Sequence, residues 1–87
     1  MEAYFINCTD EAIEAFAKAL LHQTRDTQEE GESAQEVVIR MCGDTNVELV
    51  WENEAYYAIV SRDSRIQVLN VLHKTNETIL ASIEISP

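Results

Sequence analysis

Basic residues are scarce in this chain: Lys and Arg number 6 against 16 Asp and Glu, for a formal net charge of −10. Nucleic-acid phosphates are held by Lys and Arg that displace counterions, so so acidic a chain repels them. Direct nucleic-acid binding is disfavoured, as is docking on an anionic membrane. A basic protein partner is the natural complement, although acidity alone also keeps a small domain soluble. Proline and glycine are scarce too, 1 and 2 residues in 87. No Pro- or Gly-rich linker divides the chain, and Gly31 and Gly43 stand alone, so no phosphate-cradling loop is present. A single domain over residues 1–87 is expected, burying roughly 60% of the surface its unfolded form exposes. Such a core needs one layer of sheet against one of helix.

Cysteine is limited to Cys8 and Cys42, with no CxxC pair and no metal-ligand spacing. No disulfide framework and no secretory leader can be read: MEAYFIN lacks a basic start and a long apolar run. A reducing, cytoplasmic setting is expected, the host cytoplasm if the protein is viral. The glycosylation-like triplets at Asn7 and Asn76 then carry no weight. No stretch approaches the roughly 18 to 20 continuous apolar residues of a membrane span.

Catalytic signatures are missing as well. His22 and His73 have no second His or Cys at close spacing. A zinc site needs three or four ligands, which would require Cys8, Cys42, His22 and His73 to meet in space. No GxSxG or similar strained-turn nucleophile occurs. Glu48 and Glu52 flank Val50 at strand spacing; paired carboxylates run acid–base chemistry when one sits in an apolar cleft, but the solvent-facing side of a hairpin is the reading preferred for them. No cofactor, no metal and no enzymatic activity is expected.

Periodic apolar residues are what the chain does have. Residues 3–7 read as a short strand. Thr9 offers a helix cap, Asp10, Glu11 and Glu14 place negative charge at the positive end of the helix, and Ile13, Phe16, Ala17, Leu20 and Leu21 form one apolar stripe. The spacing predicts a helix over 9–24, with Glu14 and Lys18 as an i, i+4 pair. Residues 25–35 lack large apolar side chains and read as an exposed loop. Beyond it, alternation predicts strands at 37–42, 47–52, 55–61, 66–73 and 78–85. The turns fall at 43–46, 53–54, 62–65 and 74–77, and Tyr56 and Tyr57 lie on opposite faces. The expectation is an α+β fold, one N-terminal helix packed on an antiparallel β-meander in the order β-α-β-β-β-β-β, with a sheet of roughly four to six strands.

Two surfaces follow. Between Asp26 and Glu36 there are five acids and no base. Asp26, Glu29, Glu30, Glu32 and Glu36 are expected to line one edge, extended by Glu48, Glu52 and Glu54. Carboxylates spread over a rigid sheet can occupy the places of nucleic-acid phosphates and recruit the Lys and Arg of a basic protein. Trp51, Tyr56 and Tyr57 supply aromatic anchors, unless Trp51 is simply core. The second surface is a sheet face. If Ile39, Leu49, Val68 and Ile83 point to the helix, then Val38, Val50, Leu69, Val71 and Leu80 point away, a patch that would be large for a monomer. Burial by the acidic loop, by curling of the sheet, or by a second chain in a homodimer would cover it.

In size, acidity and lack of motifs the chain is similar to phage-encoded inhibitors of host nucleases, among them anti-CRISPR proteins and uracil-DNA glycosylase inhibitor. It is similar also to bacterial immunity proteins. The likeness is one of general character and carries no residue across. It implies a non-catalytic inhibitor that blocks a basic nucleic-acid-handling protein by steric or charge mimicry. The alternatives are an immunity protein or antitoxin bound to a cognate toxin, and a homodimerising subunit.

Overall fold

Thr9 starts the first helix. Its side-chain oxygen accepts from the Ala12 N–H at 3.2 Å, leaving Asp10 and Glu11 in the first turn, where negative charge suits the helix dipole. In the computed structural model, which describes residues 2–43 and 47–86, this helix is α1, Asp10–Thr24. It ends on Arg25 at φ 57°, a left-handed conformation more often given to Gly or Asn. Before it lies β1, Glu2–Ile6; after it come α2, Ala34–Cys42, β2, Trp51–Glu52, β3, Tyr56–Asp63, β4, Ile66–His73, and β5, Ile79–Ser86.

The fold is α+β, a five-stranded antiparallel sheet with two helices. Strands β2 to β5 form a meander, as expected. The first strand pairs outside β5, giving the order β1-β5-β4-β3-β2, with Phe5 opposite Ile83 and Ala3 opposite Ile85. The turns before β3, β4 and β5 fall where the sequence places them. No helix among the described residues is long and apolar enough to cross a membrane.

The main departure is α2. The strand expected at 37–42 is a helix, because Ser33 caps it: the Ser33 Oγ accepts from the Glu36 N–H at 3.2 Å and donates to Glu36 Oε1 at 3.1 Å. Val37, Val38 and Met41 then share its buried face, and Ile39, expected to face a helix, is exposed. The strand expected at 47–52 is reduced to Trp51–Glu52. Residues 44–46 of the turn expected at 43–46 lie outside the described residues. In place of a strand partner, Glu48 has the Gln23 side-chain amide. The Gln23 Nε2 donates to the Glu48 carbonyl at 2.9 Å and Gln23 Oε1 accepts from the Glu48 N–H at 2.6 Å.

The core joins the helices to one sheet face. Phe16 and Leu20 from α1, Val37 and Val38 from α2, and Leu69, Val71, Ala81 and Ile83 from the sheet are fully buried. Leu69 stands directly opposite Ile83, and Val71 opposite Ala81. Opposed residues share a face, so Leu69 and Val71 point toward the helices, while Val68, opposite Glu84, points away. The expectation is therefore inverted for β4, whereas Ile83 and Leu49, expected on the helix side, do lie against the core. Val38, Leu69 and Val71 are core residues, Leu80 is half-buried against the core, and Val50 alone of that set is well exposed.

The last strand slips by a residue beside β4. Val71 pairs with Ala81 but Leu72 with Ile79, which leaves Leu80 as the extra residue of a bulge. Its carbonyl accepts the Thr9 N–H at 2.9 Å and so fixes the start of α1 on the sheet. The same slip separates Ile79 from Ala81, Ile83 and Ile85, with which strict alternation would place it on one face; Ile79 is exposed and the others are buried.

Candidate functional site

The eight carboxylates singled out by the sequence fall into two classes. Three are held internally. Arg40 reaches from α2 to Glu32 (Nε to Oε2 2.9 Å, Nη2 to Oε1 3.0 Å) and to Asp26 Oδ2 at 3.0 Å, which folds the 25–33 connection against the helix. Lys74 lies 2.8 Å from Glu52. These contacts have electrostatic consequences. The Arg40 guanidinium, and then the Glu29 N–H, hold the Glu32 carboxyl below its usual range. Asp26 is held down first by the Thr27 N–H and then by Arg40. Hydrogen bonding from Lys74 does the same for Glu52. Charges so occupied are poor recruiters of an outside cation.

The Glu36 carboxylate accepts from the Ser33 hydroxyl at the N-cap of α2. Glu29, Glu30, Glu48 and Glu54 are exposed and form no ion pair among the described residues. Asp26 to Glu36 run along the connection between the helices into the first turn of α2, Glu48 lies beside Gln23 near the end of α1, and Glu52 and Glu54 lie at the β2–β3 hairpin.

The acids that sequence reasoning left in a capping role are better placed. Asp10, Glu11 and Glu14 stand on the exposed side of α1 and form no ion pair among the described residues; Glu14 and Lys18, expected as a pair, are not within ion-pair distance. Glu11 Oε2 accepts from the Tyr56 hydroxyl at 3.4 Å. An open groove of about 780 Å³ runs between α1 and β2, with Glu11, Glu14, Ala15 and Lys18 on one wall and Trp51 and Glu52 on the other. The signal for it was present: Glu11, Glu14 and Lys18 fall off the apolar stripe of α1, so they must face solvent.

Trp51 sets the depth of this groove. Its ring meets Phe16 edge to face, with centroids 5.6 Å apart and planes at 73°. Opposite Ala58 on the helix side of the sheet, it belongs partly to the core and partly to the groove wall. Its Nε1 is buried without a hydrogen-bond partner among the described residues. Of the other aromatic candidates, Tyr56 packs edge-on against His73 at 5.6 Å, and Tyr57 lies on the opposite sheet face, opposite Leu72.

The face of the sheet away from the helices is uncovered and mixed. Tyr4, Ile6, Ile59, Ile66 and Ile79 are exposed there, interleaved with Ser82, Glu84 and Asn70.

Among the described residues no three His, Cys, Asp or Glu side chains are grouped to hold a metal ion. Cys8 and Cys42 are unpaired. Burial pushes the Cys42 thiol up to about 11. Compared with protein-family models, with curated proteins and with solved structures, the chain matches none.

Proposed function

We propose that this protein is a non-catalytic binder of a basic protein, and that it inhibits a nucleic-acid-handling partner by covering the surface that would hold phosphates. The observation that carries this reading is the distribution of carboxylates over the helical side. Asp10, Glu11 and Glu14 are rigidly spaced on α1 without ion pairs among the described residues, Glu29 and Glu30 extend the charge along the connection, and the whole chain bears −10. Carboxylates on a stiff element lose little freedom on meeting Lys and Arg, and they speed encounter with a cationic surface. The α1–β2 groove adds an aromatic wall beside the charge, the combination from which interface anchors are built.

The test is displacement. A panel of basic nucleic-acid-binding proteins, each loaded with a fluorescent duplex, is titrated with this protein in rising salt. The reading expects competitive release of the duplex by at least one of them, with affinity falling as salt rises. Release that is indifferent to salt contradicts charge mimicry.

A second reading, a homodimer, is favoured by the exposed Tyr4, Ile6, Ile59 and Ile79 on the uncovered sheet face. Light scattering at tens of micromolar decides it: a dimer mass supports it and a monomer mass removes it.

A further inference from the structure

The second strand is short, lies at the sheet edge and has a groove on each side. The α1-side groove is joined by another of about 470 Å³ on the far side of the strand, lined by Val50, Tyr57, Ile59 and Lys74. Trp51 and Glu52 line both, so β2 is the ridge between them. Its free edge can be assigned. The Asn53 N–H donates to the Tyr56 carbonyl at 2.9 Å, making Asn53 and Tyr56 a hydrogen-bonded pair. Antiparallel pairs alternate, so the next pair, Glu52 with Tyr57, is a non-bonded one. The Glu52 N–H and carbonyl therefore point away from β3, toward the open edge.

Resting on the reading of a basic partner, we infer that this edge receives an extended segment of that partner as an added strand. Successive side chains of a strand point to opposite faces. A chain laid beside β2 sends alternate side chains into the α1-side groove and into the far groove. In the first, Glu11 and Glu14 outnumber Lys18, so the segment presents Lys or Arg there. In the second, Val50, Tyr57 and Ile59 favour apolar side chains. The occupant is thus an extended protein segment alternating basic and apolar residues, held by main-chain hydrogen bonds to Glu52 and selected by the two grooves.

The probe is a synthetic peptide of about eight residues alternating Lys and Val, compared with its isomer in which the Lys and Val are grouped in blocks. Trp51 is the sole tryptophan, so its fluorescence reports the ridge directly, and calorimetry reports binding anywhere on the protein. The expected result is a Trp51 response to the alternating peptide and an affinity at least about tenfold above that of the block isomer. Glu11→Gln with Glu14→Gln should weaken binding and raise its tolerance to salt. Glu52→Pro, which removes the outward N–H, should abolish the preference for alternation, whereas Glu52→Gln keeps it; thermal melts verify that each variant is folded. Equal calorimetric affinity for the two peptides, or binding with no Trp51 response, overturns strand addition while leaving recognition of a basic partner standing. Binding of neither peptide, with no duplex release by the intact protein, removes both.

Discussion

Arg40 grips Glu32 with a two-pronged contact, Nε to Oε2 at 2.9 Å and Nη2 to Oε1 at 3.0 Å, while its Nη1 holds Asp26. The planar fork of Arg suits this geometry and Lys does not. One base thus removes two carboxylates from the outward-facing set and ties the connection between the helices to α2.

This contact predicts a pH dependence. Glu32 and Asp26 titrate below their ordinary values of 4.5 and 3.8 in the folded protein. A carboxyl depressed by folding stabilises the fold above its unfolded value, and that contribution is lost as pH falls through the folded one. Urea midpoints should therefore decline as pH drops below those ordinary values. The decline should be modest because Asp26 and part of Arg40 are open to solvent, with Glu32 alone largely covered, and Arg40→Met should flatten it. Parallel curves for the two proteins would show that the contact contributes nothing.

The second helix makes its own prediction. As an N-cap, Ser33 should matter: Ser33→Ala is expected to cost about 1 kcal/mol, and Thr9→Ala a similar amount at α1. Chemical denaturation measures both. A neutral Ser33→Ala would favour the strand that alternation suggested for residues 37–42.

Phe16 is fully buried and packs edge-on against Trp51. Phe16→Ala should destabilise by about 3–5 kcal/mol through lost contacts and a cavity. It should also shift the Trp51 emission in the folded state, since the indole loses its neighbour. Leu69→Ala, whose side chain lies elsewhere in the core, should destabilise by about 2–5 kcal/mol without that shift.

With its thiol raised from 9.0 to about 11, Cys42 forms roughly a hundredth of the thiolate of an ordinary cysteine at neutral pH. Alkylation should be slowed about a hundredfold at this site relative to an unstructured peptide thiol. Peptide mapping of a timed iodoacetamide reaction measures the rate, and labelling of Cys42 at the peptide rate would contradict its burial.

Much of this architecture can be read along the chain, because it is local. The apolar stripe and Thr9 mark α1, and alternation between well-placed turns marks β3, β4 and β5. What escapes such reading is non-local or ambiguous. In the run from Val37 to Cys42, Val37, Ile39 and Met41 suit a strand, while Val37, Val38 and Met41 suit a helix. Ser33 followed by Glu36 is the capping box that decides it. The faces of β4 are inverted relative to the expectation because parity within one strand does not reveal the partner's register; only the Leu69–Ile83 pairing fixes it. Pairing of β1 with β5 joins the ends of the chain and leaves no local mark. Of the candidate site, the acidity was legible from composition. Which carboxylates stay free was not, since it depends on where Arg40 and Lys74 reach in space.

The most direct test neutralises the two classes of carboxylate separately. One variant carries Asp10→Asn, Glu11→Gln and Glu14→Gln; the other carries Asp26→Asn and Glu32→Gln. Each is titrated in rising salt against a basic protein that the unaltered chain strips of its duplex. The α1 variant should lose about tenfold or more in affinity and most of its salt dependence, with the Arg40-paired variant close to the parent. Undiminished binding by the α1 variant would contradict the claim that the free acids of this helix form the recognition surface.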